Sequence, residues 1–413
     1  MHWRFHLVLI LLLGSMLSRT QSILLIPDRV FDGESFLDGW QVLVQGTLIK
    51  EIKPVISVDK GTTILKLPGT TLMPGMIEGH SHILLHPYDE TSWNDQVLTE
   101  SRSERVLRAA QHLKASLMAG FTTLRDLGTE GVDYADVEIK QALAKGILIG
   151  PDLICAGRAI VATGSYGPKS MVFSSPRGAE EADGQDLIRV VRDQIGHGVD
   201  VIKIYADYRW GPFGAAMPTF SIEEIKSIVE TAASSGRRVV AHASTKEGMR
   251  RAILGGVSTI EHGDEGDAEI FALMKKFKVS LCPTLAAGEA IMSYKGWEKN
   301  TDSLPDRIKA KMMSFKLALQ SGVKIIFGGD VGVFAHGENA RELLLMKEYG
   351  MTNIEVLKTA TSINADVFGL DHKGSIKPGY LADIVIVMGH PGEDLKAVQS
   401  IKLVMKSGKI LQP

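Results

Sequence analysis

"MPGMIEGHSHILLH" (Met73–His86) is the stretch that decides how this chain is read. If its middle is a strand, positions i and i+2 share a face, and His80 and His82 present two imidazoles side by side. A third histidine, His86, lies just beyond. Such a pair is either a metal clamp or two histidines on the wet face of a sheet. The stretch alone does not choose. Its opening Pro74–Gly75 is a structure breaker, so the strand starts a new segment of the chain.

On either side of residues 74–373 the pattern is β-rich. "ILLIPDRVFDG", "DGWQVLVQGTLIKEIK" and "GTTILKLPGTTLMPG" precede the segment, and "GSIKPGYLADIVIVMG" and "SIKLVMKSGKILQP" follow it. Apolar runs broken by Gly and Asp turns, without a helical period, predict one small β-domain built from both ends, residues 23–73 plus 374–413. The middle alternates differently. Strand candidates "GMIEGHSH", "FTTLRDLG", "DLICAG", "DVIKIY", "RRVVAHA", "VSTIEHG", "VSLCPTL" and "KIIFGGD" are interleaved with amphipathic stretches such as "SIEEIKSIVETAASSG". Ser221 and Glu224 fit a capping box there, and Gly322 fits a helix stop. Eight strands alternating with helices is the pattern of a (β/α)8 TIM-like barrel. A doubly wound open sheet is the alternative, but no GxGxxG follows the first strand, so nothing points to a dinucleotide.

Composition narrows the function classes. A chain of 413 residues, 45% hydrophobic and 23% charged, is an ordinary globular protein. Its formal net charge of -2 argues against a nucleic-acid partner. Arg4 followed by the apolar run Leu7–Leu17, far short of the ~20 residues of a membrane span, reads as a secretory signal. Thr20 and Ser22 are spaced as at a cleavage site. Residues 1–22 are therefore expected to be removed, leaving a periplasmic or secreted protein with no membrane attachment. Cys155 and Cys282 lie in separate apolar strands and are expected to be buried thiols.

In a parallel barrel the reactive side chains gather at the C-terminal strand ends. The first strand ends in His80 and His82, and the fourth carries Lys203 in an apolar run. The fifth ends in His242, the sixth in His262 and the eighth in Asp330. Each has a plain alternative: a satisfied core histidine, a helix cap, a snorkelling lysine. Six such residues on one rim together point to a metal site.

In this order the residues resemble the amidohydrolase superfamily, and the likeness covers essentially the whole mature chain. It rests on "PGMIEGHSH", "GFTTLRDLG", the lysine strand, the two single histidines, the aspartate and "GSIKPGYLADIVIV". "GHGVDVIKIYA" and "FGGDVGVFAHGENARELLLM" are similar to the imidazolonepropionase-related branch, and closer still to its exported, lysine-bearing Xaa-Pro dipeptidase and carboxypeptidase-like members. The resemblance implies a barrel with a small β-sandwich formed by both chain ends. It implies two divalent metal ions, zinc by the ligand chemistry. His80, His82 and Asp330 would serve one metal and His242 and His262 the other. Lys203, as N6-carboxylysine, would bridge them. It further implies a metal-bridging hydroxide attacking a carbonyl carbon, with Asp330 as base and then acid, on a small substrate such as a dipeptide, an N-acyl amino acid or a cyclic amide. The same site would suit lactones, esters or phosphoesters, and a non-catalytic binding protein on this fold is the other class. Homo-oligomers are common among such relatives, and no interface is legible here.

Two residues that hold the substrate carboxylate in the dipeptidase relatives differ in this chain. Tyr166 in "TGSYG" stands where a histidine is expected, and Phe220 where a tyrosine is expected. Phenylalanine offers no hydrogen bond. Replacement contacts are expected from Tyr208 and Arg209 in "YADYRWGPFG", with Trp210 lining an apolar wall, and from His336 in "FAHGENA".

Overall fold

The computed structural model describes residues 21–168 and 178–411. The expected leader falls almost entirely on residues 1–20, outside the described residues. Both ends of the chain do meet in one eight-stranded sheet. Strand Thr63–Pro74 lies at its centre, parallel to Ser22–Phe31 and antiparallel to Ile384–Met388. Its apolar face is packed by Ile23, Leu25, Val42, Val44, Leu72, Ile384 and Ile386, all buried. The chain leaves this sheet at Gly75, whose N–H donates to the Asp383 carbonyl at 2.8 Å. A Cβ there would fall 2.2 Å from the Thr122 hydroxyl, so only glycine lets the exit strand lie against its neighbour.

Beyond Gly75 parallel strands alternate with helices. Met76–Ser81, Phe121–Asp126 and Asp152–Cys155 form one parallel sheet. A second runs in the order Glu180–Glu181, Ile160–Val161, Val201–Tyr205, Arg238–Ala243, Thr259–His262 and Ser280–Cys282. The strands are almost entirely buried because they are covered on both faces. Among the described residues these sheets do not close into a continuous ladder. The eighth segment, expected as the strand "KIIFGGD", is irregular. It is held by single bridges, Leu281↔Ile325 on one side and Ser81↔Val331 on the other. Its glycines explain this. A Cβ on Gly328 would meet the His80 N–H at 2.8 Å and Cys282 Sγ at 2.5 Å, so the segment lies too close to its neighbours for an ordinary pleat. At the other seam Asp200 joins the sheets, its N–H donating to the Cys155 carbonyl and its carboxylate accepting the Cys155 N–H, both at 2.8 Å.

Helices follow most strands, among them Arg102–Met118, Asp186–His197, Ile222–Ala233, Lys246–Gly255 and Asp306–Ser321. Among the described residues, none is long and apolar enough to cross a membrane. Gly322 ends the last of these in the left-handed conformation. Ser221 and Glu224 close the expected capping box: Ser221 Oγ accepts the Glu224 N–H at 3.1 Å, and Glu224 Oε2 accepts the Ser221 N–H at 2.9 Å. Replacing Ser221 with Ala is expected to cost about 1 kcal/mol, read as a lower urea midpoint at unchanged slope. An unshifted midpoint would mean that the cap contributes nothing. Cys155 and Cys282 are both buried and free.

Candidate metal centre

The six rim residues gather on the C-terminal side of the strands: His80, His82, His242 and His262 at or just past strand ends, Lys203 in the middle of Val201–Tyr205 and Asp330 on the irregular eighth segment. The His80 and His82 rings lie 5.4 Å apart, His80 and His262 5.2 Å, and His242 and His262 4.5 Å. Asp330 Oδ1 is 3.6 Å from His80 Nε2 and 3.4 Å from His82 Nε2. His262 and Asp330 both hold left-handed backbone conformations, with φ of 78° and 64°. Non-glycine residues adopt that region at a cost, and such strain collects at functional sites.

Buried acceptors fix the histidine tautomers. His80 Nδ1 faces Glu261 Oε2 at 2.9 Å, and Glu261 is itself held by Arg125 Nη2 at 2.8 Å. His82 Nδ1 faces the Gly128 carbonyl at 2.9 Å. These oxygens accept, so each Nδ1 carries its proton and each Nε2 lone pair is left toward Asp330. A ligating histidine is held in this way in metal sites. His242 is turned the other way. Its Nε2 lies 3.5 Å from Asp207 Oδ1, which leaves Nδ1 toward the rim. His262 Nδ1 is 2.7 Å from Thr284 Oγ1.

Burial pushes His82 down to about 4 and His242 to about 3. It holds His80 and His262 well below the usual imidazole range. All four rings are therefore neutral near pH 7. Burial also raises the Asp330 carboxyl to about 7, against the pull of Lys203. Lys203 itself is fully enclosed, its Nζ has no hydrogen-bond partner among the described residues, and burial lowers its pKa. A buried ammonium without a partner is costly, so the neutral amine is favoured.

These donors fit divalent cations. His80, His82 and Asp330 offer ligand atoms that all lie within 4.8 Å of one another. Asp330 Oδ1 and Lys203 Nζ are both sealed from solvent and unbonded. His80, Glu261 and Cys282 also converge within 4.8 Å, but they are a poorer set. Glu261 is engaged by Arg125 and His80, and burial drives the Cys282 thiol well above its ordinary value, so its sulfur stays protonated.

The expected substrate contacts fall less uniformly. Tyr166 and Tyr208 lie beside the rim: Tyr166 is 4.7 Å from both Tyr205 and Tyr208, and Tyr205 stacks on His242 at 4.6 Å. The Tyr166 hydroxyl is already committed, donating to Glu130 Oε2 at 2.9 Å. Arg209 is exposed, its guanidinium 5.6 Å from the Tyr208 ring. His336 stacks on His112 at 4.3 Å and bonds the Leu85 carbonyl through Nε2 at 3.1 Å. Phe220 is fully buried in the main core. His86, which the sequence left unexplained, bridges Glu90 at 3.2 Å and Glu100 at 2.8 Å, tying together the loop after the first strand.

Glu78, Arg125, Glu130 and Glu261 were missed by sequence reasoning. Glu78 Oε1 accepts the N–H groups of both His80 (3.1 Å) and Gly329 (2.9 Å), so one carboxylate clamps the His80 and Asp330 segments. The signal was present. Glu78, Arg125 and Glu261 are charged residues inside apolar strand runs, where a charge is rare unless paired.

The Amidohydrolase family model matches residues 71–411. The ochratoxinase of Aspergillus niger is 31% identical over 382 residues, covering 83% of this chain and 75% of that one. Among solved structures, a Xaa-Pro dipeptidase with methionine bound in its active site superposes with a TM-score of 0.83 at 28% identity, covering 95% of this chain and all 100% of that chain. The A. niger ochratoxinase structure gives 0.81 at 26%, covering 95% of this chain and 96% of that one.

Proposed function

The chain belongs to the amidohydrolase family, and we propose that it is an exported, binuclear metal-dependent hydrolase cleaving a carbon–nitrogen bond in a small amide such as a dipeptide, an N-acyl amino acid or a cyclic amide. One observation carries the two-metal reading: an enclosed, unbonded Lys203 Nζ at the foot of four neutral histidines. A neutral amine there would add carbon dioxide, forming an N–C bond and releasing one proton to solvent, to give an anionic carbamate with two oxygens, which an ammonium cannot imitate. The single bridges Leu281↔Ile325 and Ser81↔Val331 and the Asp200 seam support completion of the strands as a (β/α)8 barrel, with residues 23–73 and 374–413 as its small β-domain.

His80, His82 and Asp330 would hold one cation, His242 and His262 the other, with carboxylated Lys203 between them. Bound there, two divalent cations, zinc by donor type, would supply Lewis acidity toward a carbonyl and toward water. The chain's own residues do the rest. Asp330, whose Oδ1 faces both first-strand histidines, takes the proton of the attacking water and returns it to the leaving nitrogen. Glu261 and the Gly128 carbonyl hold the His80 and His82 rings in register. Tyr208 and Arg209 stand at the mouth to position a substrate carboxylate, Tyr166 lines the wall, and His336 lies behind the first strand end.

The test is hydrolysis of a panel of dipeptides, N-acyl amino acids and lactones by zinc-loaded protein supplied with bicarbonate. Turnover concentrated on the amides is expected. Turnover confined to lactones would move the reading to ester chemistry, and none at all, with metal bound, would favour a binding protein.

A further inference from the structure

Beside the rim lies a carboxylate that the chemistry above does not use. Glu130 is 2% exposed and sits in the left-handed region at φ 50°. Its Oε2 is fixed twice, by Trp93 Nε1 at 3.0 Å and by the Tyr166 hydroxyl at 2.9 Å. Its Oε1 accepts nothing among the described residues. It points past the bare face of Gly128, where an added Cβ would lie 3.4 Å from Oε1 and 3.5 Å from the His82 ring edge. Among the described residues no cation bonds this carboxylate directly: Arg105 offsets its charge from nearby, but donates Nη1 to the main-chain oxygen of Glu130 at 2.7 Å and Nη2 to that of Thr129.

The surroundings are aromatic. Trp93 meets Tyr166 edge-on at 5.4 Å, Tyr166 packs against Tyr205 and Tyr208 at 4.7 Å each, and Tyr205 stacks on His242. A buried carboxylate held in orientation by two donors, with one oxygen left over and π-faces around it, suits a compact cation. The left-handed backbone of a glutamate adds to this, since strain of this kind persists where the surroundings hold a side chain in place.

Resting on the amide-hydrolase reading, we propose that Glu130, with Trp93, Tyr166 and Tyr205, forms a subsite for a free ammonium group on the substrate. The chain then selects amides whose acyl portion carries an unblocked amine, as a dipeptide does. An N-acyl amino acid lacks that charge and makes no direct ion pair with the carboxylate.

The probes are leucyl-proline and N-acetyl-leucyl-proline, which differ only at the amine. For wild-type protein loaded with zinc, kcat/KM is expected to favour the free amine by more than tenfold. In Glu130→Gln, which keeps size and hydrogen bonds but not charge, that ratio is expected to fall to within about threefold of unity, on the scale of a lost charge-assisted contact. Calorimetric binding of the two probes to wild-type protein gives the same comparison without turnover or a variant. Amine-selective binding without hydrolysis supports the subsite and overturns the amide-hydrolase reading. Equal hydrolysis and equal binding of both probes overturns the subsite and leaves amide hydrolysis standing. A Glu130→Gln variant that lowers both probes in equal proportion also overturns it.

Discussion

Replacing Asp330 with Asn is expected to abolish hydrolysis by roughly a hundred- to ten-thousand-fold while the protein still binds metal. Asparagine preserves the volume and one coordinating oxygen, so the contacts to His80 and His82, now at 3.6 and 3.4 Å, survive in kind. What disappears is a group able to take up and release a proton near neutrality. Among the described residues, Glu261 is committed to His80 and Arg125, and Glu78 to backbone N–H groups and Asn339. The loss should appear in kcat with little change in KM, because the group acts on the reacting atoms rather than on binding. Near-wild-type turnover with metal retained would remove Asp330 from proton transfer.

The Lys203→Met variant is the second large effect, and it separates metal binding from folding. Methionine matches the length of the stem and fits the apolar strand, where Ile202 and Ile204 are fully buried. Metal affinity is expected to fall by more than the roughly 10–100-fold typical of groups that merely support ligands, and activity with it. The metal-free variant, by contrast, should melt no lower than wild type. It has lost a buried amine without a hydrogen-bond partner, and removing such a group is neutral or stabilising. A variant that keeps two metals, or whose metal-free form is clearly destabilised, would show that Lys203 serves the fold instead.

The large features of the site were legible because they obey strand periodicity. His80 and His82 share a face, and the interleaving of apolar runs with helices places Lys203, His242, His262 and Asp330 at one end of a parallel array. The supporting groups were harder to read, for a physical reason. Glu261 adjoins His262, and strand alternation should send the two to opposite faces. The left-handed turn at His262 breaks that alternation, and no periodicity argument anticipates it. Glu130 was hidden in the same way, by a positive φ in a loop whose turn chemistry belongs to glycine or asparagine. The eighth segment read as an ordinary strand since "KIIF" has the right composition, yet Gly328 and Gly329 let it press against the first strand without pleating. Tyr166 was placed beside the rim by its position in the sequence. Its hydroxyl goes to Glu130, a pairing of residues 36 positions apart that only the fold discloses.

Metal content per chain is the most direct test of a binuclear site. After loading with zinc in the presence of bicarbonate and removal of loosely held ions, elemental analysis of wild-type protein should return two zinc ions per chain. One ion or none would contradict the bridging role of Lys203 and reduce the centre to the His80, His82 and Asp330 set.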